Sequence, residues 1–545
     1  MIMLVLVQVL GVSSSGLLMA GMMVVWGLPA IALPYLTKPT TTSTTTTTTT
    51  ITPFTIKLDT PPTIKLDTPP TITPIMNITT HTTTTPITDI ITSINTHINM
   101  TSTTTVTTPS LVLEPDAASW YATVPLLLCI PGSVVGGALC EWVGPRRLQL
   151  LLAPLLALSI AVMPLISWVP FNLNPTAFLI TTRIIQGTIV ALLNSAISVY
   201  PCEVSDAKYR GTLASLVEAW ASLGFLLCYA VGSYLYWTTA AWVLTVATII
   251  PSFIGLLASQ ESPPWLIRKG RREAAMAALL HLRGSAEAAE QELTETNKYC
   301  DKIKRSDVSW WKVVPLLRKR AYLLPMVTAL FMLVLKEVSG MSVFSIYIVR
   351  IFQLASVDFD PFLCSVVVGS ARLSGNFLGS ALLHHLPRKV LLVGGNVLTA
   401  VATAFMGVYF FLHSREYEVQ QVDWIPLIAL TLFMVGMAVG VGPATWLVAV
   451  EILPGPVRSL GQGVTLTGYA FTSFLVSKTF DDMQSLMGLG GLFWCYAVGC
   501  ITYGVFVMLV VPETSGRSLK DIEVYWGVAT LDSENHKPQE LQTLD

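Results

Sequence analysis

Apolar residues fill this chain in long unbroken blocks separated by short polar joints. Blocks of about 18 or more residues recur along most of the length, each able to cross roughly 30 Å of hydrocarbon as a helix. The first runs from Met1 to about Leu36. Eleven more are expected near 118–139, 148–168, 176–200, 213–235, 240–259, 322–348, 363–383, 389–413, 425–450, 460–481 and 488–511. A backbone in lipid must satisfy its own hydrogen bonds, so the set predicts an all-α membrane protein of about twelve spans. The first block has no Lys or Arg before it and is too long for a cleaved leader, so it is expected to stay as the first span.

Two segments break the pattern. From Thr37 to Ser110 the chain is rich in threonine and proline, and it repeats the octad TIKLDTPP at Thr55–Pro62 and Thr63–Pro70. Such a composition buries no core, so 37–117 is expected to be a disordered loop. It carries two sequons, at Asn77 and Asn99. These fit a glycosylated extracellular stalk, with an unglycosylated low-complexity insertion as the alternative. The second segment, 260–321, is polar and helix-forming. It is expected to be a helical linker on the cytoplasmic side. It would join an N-terminal bundle (1–36 and 118–259) to a C-terminal bundle (322–511), with 512–545 as a polar tail.

Charge orients the spans. Arg146, Arg147, Lys208, Arg210, Arg388, Lys389, Arg458 and the basic residues of 260–321 fall in one set of loops, whereas VPFNLNP and WTTA on the other side have none. By the positive-inside rule the basic set and both termini are cytoplasmic and the stalk is outside, which suits a plasma-membrane protein. Trp120 and Tyr121 are expected to anchor the second span at the outer interface. Only 12% of the 545 residues are charged, about half the share in soluble proteins. The net charge of -1 offers nothing to a nucleic acid. The eight cysteines show no CxxC or metal spacing, and no nucleophile stands with a base. Enzyme chemistry and a cofactor are therefore not expected; the expected partners are the bilayer and a small-molecule solute.

The two halves echo each other. EWVGPRR (Glu141–Arg147) follows the second span, and HHLPRKV (His384–Val390) follows the eighth. CEVSDAKYRG follows the fourth and VEILPGPVRS the tenth, with Glu203 seven residues before Arg210 and Glu451 seven before Arg458. Matching charges at matching places predict a duplicated transporter whose inner face closes by ion pairs between halves. Ordinary flanking charge set by topology is the alternative, which suits one such site better than four in register.

These residues, with SQESPPWLIRKGR, KEVSGMSVFSIY, GPATWLVAVEILPGPVR and VPETSGRSLKDIE, resemble the sugar porter family of the major facilitator superfamily over nearly the whole chain outside the stalk and tail. Within it the arthropod facilitated trehalose transporters are most similar. The resemblance implies two pseudo-symmetric six-helix bundles around a cavity that opens to either side in turn. It implies a cytoplasmic latch of Arg146, Arg147, Glu203, Arg210, Glu261, Arg388, Lys389, Glu451, Arg458 and Glu513. Pro145, Pro264, His384, His385 and Pro387 depart from the family pattern there, which predicts a weaker outer ring of the latch.

The implied sugar site departs further. Where the family presents amides, which both donate to and accept from sugar hydroxyls, this chain has Glu218, Lys336, Glu337, Ser342, Arg372 and Tyr469, with Ala470 in place of a tryptophan. Trp446 remains as a platform for a sugar ring, Tyr347 as an outer gate, and Ser339 with Gly340 as a bend. An unpaired charge at mid-bilayer costs about 3 kcal/mol on insertion scales. Neighbours on a helix point about 100° apart, so Lys336 and Glu337 are each expected to need a partner from another span, and Glu218 is expected to pair with Arg372. Three readings stay open: a facilitative carrier of a trehalose- or hexose-like solute, a carrier of a charged or zwitterionic solute or a proton-coupled symporter, and a non-transporting sensor or scaffold.

Overall fold

The computed structural model describes residues 2–37, 113–168, 174–206, 210–305, 318–383, 385–415, 423–454, 457–517 and 519–527. The threonine-rich segment with Asn77 and Asn99 lies outside the described residues, as does the Arg210 side chain. The described residues are helical, with no strand.

Six long helices make the first half: α1 (Ile2–Leu36), α2 (Pro115–Val143), α3 (Pro145–Val162), α4 (Pro175–Val204), α5 (Arg210–Tyr234) and α6 (Trp237–Ala258). Three more form the linker: α7 (Pro263–Arg268), α8 (Arg272–Arg283) and α9 (Ala286–Arg305). The second half repeats the count of spans. Its seventh span is broken into α10 (Arg320–Val338) and α11 (Met341–Leu354), followed by α12 (Pro361–Leu382) and α13 (Arg388–Ser414). A π turn at Met437–Val441 divides the tenth into α14 (Ile425–Gly436) and α15 (Gly442–Glu451). The last spans are α16 (Arg458–Lys478) and α17 (Phe480–Val510), with a short α18 (Leu519–Tyr525) in the tail. The final span, expected from 488, begins at Phe480 with a break at Gly488, whose φ is 71°.

Among the described residues, ten segments are long and apolar enough to cross a membrane by themselves. α5 fills the fifth place, and the eleventh is taken by α16, which is not among them. The polarity of α16 has a reason: it carries Gln462, Thr465, Thr467, Thr472, Ser473 and Lys478, while α5 carries the single charge of Glu218 within its apolar run. Helices with that much polar surface are stable in lipid when it faces a protein or water interior. In the second half, small residues bring α13 against the α14–α15 region. A Cβ on Gly440 would stand 2.2 Å from the Leu391 carbonyl oxygen, and one on Gly395 2.6 Å from that of Gly436.

The end of the bundle that carries α7–α9 is termed the linker end, and the opposite one the far end. At the far end the halves are joined. Lys478 of α16 pairs with Asp116 of α2, and the Ser119 hydroxyl donates to the Lys478 carbonyl at 3.2 Å. Trp120 packs on Phe474 at 5.9 Å and Tyr35 on Phe362 at 6.2 Å. Trp120 therefore faces the other half rather than the interface, and Tyr121 is wholly buried. At the linker end, among the described residues, the ion pairs stay within one half.

Candidate functional site

The residues singled out from the sequence converge at the junction of the halves, around the break between α10 and α11. Gly340 makes the break: its φ is 89°, the left-handed region that side chains disfavour, and a Cβ there would lie 3.1 Å from Phe344 and Tyr496. The last turn of α10 thus ends inside the protein and presents Lys336 and Glu337, whose side chains are 6% and 1% exposed.

These two neighbours meet more closely than helix geometry alone predicts. Lys336 Nζ lies 3.9 Å from Glu337 Oε1, a charge contact too long for a hydrogen bond. Lys336 finds its other partners on other spans, as expected, whereas the Ser342 hydroxyl that serves Glu337 belongs to the second half of the same span. Across the break the Ser342 hydroxyl donates to Glu337 Oε2 at 2.5 Å, and its oxygen lies 2.5 Å from the Ser473 hydroxyl of α16, from which it can accept. The Lys336 ammonium stands over two rings, 5.0 Å from the centre of Trp446 and 5.4 Å from that of Tyr469. The rings meet edge-to-face at 5.1 Å. The lysine thus occupies the notch where a sugar ring was expected to stack, held by a cation–π contact.

The expected Glu218–Arg372 pair is corrected. The fifth and eighth spans do pack together, through Asn376 Nδ2, which lies 2.5 Å from Ser222 Oγ and 3.4 Å from the Glu218 carbonyl. Among the described residues, however, no ion pair joins Glu218 to Arg372. The helices run antiparallel. Glu218 lies one turn from Ser222 toward the linker end, and Arg372 one turn from Asn376 toward the far end. At 1.5 Å per residue this separates them by about 12 Å along the axis. Arg372 instead donates to Ser345 Oγ at 3.2 Å and lies over the Phe225 ring at 4.7 Å. Both charged residues are half-buried. Tyr347 is buried toward the far end, stacked on Phe480 at 4.7 Å, with its hydroxyl donating to the Ser477 carbonyl at 3.4 Å.

The latch residues form two matching staples, one in each half. After α6, Glu261 accepts from the backbone N–H groups of Arg146 (3.0 Å) and Arg147 (3.2 Å), capping the start of α3. After α17, Glu513 accepts from those of Arg388 (3.1 Å) and Lys389 (3.0 Å), capping α13. Basic side chains then return to the carbonyls that end the sixth helix of each half. Arg146 donates to Leu256 and Leu257, and Lys389 to Met508 and Val511. Burial pushes the Glu261 carboxyl above the usual carboxylate range, against the N–H donors that pull it down.

The paired glutamates also differ from expectation. Glu203 accepts from Arg268 at 3.2 Å and from Ser262 at 2.5 Å, and Arg268 also reaches Glu141 at 3.2 Å. Glu451 pairs with Arg388 at 3.0 Å, while Arg458 turns to the Leu453 carbonyl. The helix ends at or just after each glutamate, at Val204 and at Glu451, so the seven-residue spacing to the arginine fixes no distance. Arg268, Glu141, Ser345 and Ser473 were not singled out; the polar face of α16 was the one available signal for Ser473.

Removing a cap strands the N–H groups that open a helix. Glu261→Ala and Glu513→Ala should each lower stability by about 1–3 kcal/mol. The Gln variants, which keep an acceptor, should lose less. Thermal unfolding of the purified protein checks the order.

A family model described as "Sugar (and other) transporter" matches residues 87–526. The facilitated trehalose transporter Tret1 of Polypedilum vanderplanki is 31% identical over 423 residues, covering 77% of this chain and 81% of that protein. The same-named proteins of Anopheles gambiae and Drosophila virilis are also 31% identical, over 76% and 78% of this chain. They are covered for 51% and 45% of their own length, so the chain spans about half of those relatives. The solved inward open conformation of the xylose transporter XylE from E. coli superposes with a TM-score of 0.66 at 18% identity, over 96% of this chain and 100% of that one. Its partially occluded form gives 0.65 at 17% identity, over 94% and 99%.

Proposed function

This chain belongs to the sugar (and other) transporter family, and on that premise we propose that it carries a trehalose- or hexose-like solute by facilitated alternating access. It is an integral, multi-pass membrane protein. The observation that carries the proposal is a polar and aromatic cluster at the junction of the halves, with the far end held shut between them while the linker end has no such bond among the described residues. In this reading Trp446 and Tyr469 flank the solute, and Glu218 and Arg372, on adjoining helices at different depths, hydrogen-bond its hydroxyls. Ser342 and Glu337 stand at its base, and Tyr347 is the far-side gate. Charged partners suit hydroxyls because hydrogen bonds to an ionised group are about twice as strong as neutral ones. Lys336 acts as a resident cation that the solute displaces from the Trp446 ring.

The staples around Glu261 and Glu513 keep each half rigid while the halves rock, with Glu203, Arg210, Glu451 and Arg458 at the face that closes in the opposite state. The linker end is the cytoplasmic one, with both termini there, and the membrane is the plasma membrane. The clustering of basic residues and the sequons at Asn77 and Asn99 support this.

Oocytes expressing the chain should take up labelled trehalose or glucose saturably, above uninjected cells. No uptake of either, with the protein at the surface, contradicts the proposal. One observation favours a second reading: the Glu218 carboxylate has no ion-pair partner among the described residues, as a proton carrier would need. Under proton coupling, uptake rises at acid pH and Glu218→Gln removes the rise; facilitated transport predicts little change in either case.

A further inference from the structure

Arg183 of α4 is wholly buried, 0% exposed, and the proposed solute path does not use it. Among the described residues no carboxylate pairs with it. Its Nη1 donates to the Val25 carbonyl at 2.6 Å and its Nε to the Tyr121 carbonyl at 2.9 Å. Gln186 Oε1 at 3.0 Å and the Tyr121 ring at 5.0 Å complete its surroundings, and Nη2 has no partner.

The choice of these two carbonyls has a cause in the sequence. A helical carbonyl accepts from the N–H four residues on. For Val25 that residue is Pro29, inside α1, and for Tyr121 it is Pro125, inside α2. Proline has no N–H, so both carbonyls lose their helical partner. Left bare in hydrocarbon, each costs several kcal/mol. One guanidinium satisfies both, because its planar fork holds several donors at fixed angles. Close approach makes this reach possible: a Cβ on Gly187 would stand 2.6 Å from Pro125 Cα.

The segments beyond the two prolines are the ones that seal the far end. Tyr35 lies past Pro29, and Asp116, Ser119 and Trp120 lie before Pro125. We propose that Arg183 is a positioning residue that ties the two proline bends together, so that the far ends of α1 and α2 close against the second half as one body. Its consequence for transport rests on the reading above, but the seal can be measured without it.

Arg183→Met should strand both carbonyls and loosen the seal. A cysteine placed at Ser477, buried in that seal, should then react several-fold faster with a membrane-impermeant maleimide from the far side. Each rate is read against the same chain without the added cysteine. Pro29→Ala with Pro125→Ala returns an N–H to each carbonyl, so the triple variant should react at the wild-type rate. If R183M does not accumulate, the triple variant should. The proposal is overturned if the triple variant behaves like R183M, or if Arg183→Lys, which keeps the charge but not the fork, seals like wild type. Lost uptake with unchanged labelling also overturns it, and leaves the transport reading standing.

Discussion

Lys336→Met will destabilise the protein by about 3–5 kcal/mol, the cost of breaking a buried ion pair from one side. Glu337 is 1% exposed, its Oε1 has no hydrogen-bond partner, and the ammonium 3.9 Å away is its ion-pair partner. Without the lysine a carboxylate remains in a low-dielectric interior, held only by serine hydroxyls, with Ser342 donating to it. That loss is a large share of the 5–15 kcal/mol typical of a folded domain, so little protein should survive extraction. Glu337→Gln should be milder, because Lys336 keeps the faces of Trp446 and Tyr469. The double variant K336M/E337Q removes both charges and should recover most of the stability. Unfolding of the three variants in detergent gives the order directly. Equal stability of K336M and wild type would show that the pair is not buried as described.

The second large effect belongs to two adjacent glycines of α13. Gly395→Leu should prevent correct assembly, whereas Gly394→Leu should be nearly silent. A Cβ at 395 would lie 2.6 Å from the Gly436 carbonyl oxygen and 3.0 Å from the Gly440 Cα, both backbone atoms that no rotamer change can move aside. At 394 nothing lies within 4 Å. The two variants share composition and helix propensity, so only the packing of α13 on the α14–α15 region separates them. Monodispersity after mild extraction reads the difference. Forcing those helices apart would also move Trp446, which follows the π turn, away from Lys336.

The helices are legible in the chain because hydropathy in a bilayer is decided residue by residue, with no tertiary partner needed. The duplicated pattern is legible for the same reason, since Arg146-Arg147 and Arg388-Lys389 sit in equivalent places and receive equivalent caps. Partner choice is what the chain conceals. Glu218 and Arg372 lie on helices that do pack together, yet an antiparallel register puts them on opposite sides of the Ser222–Asn376 contact. Glu203 finds Arg268 in the linker because α4 ends before Arg210 begins the next helix. Arg183 was not singled out, although Pro29 and Pro125 mark the bare carbonyls it serves. Its sequence signal becomes visible once the helices are known to touch.

The central claim is that Glu218 and Arg372 line a watered vestibule reached from the linker end while the far end is shut. Glu218→Cys in membrane vesicles, treated with an impermeant maleimide from each side with and without trehalose, tests it most directly. Alternating access predicts fast labelling from the linker side, slow labelling from the far side, and protection by the sugar. Reaction with lipid-soluble reagents alone, or none from either face, would contradict it.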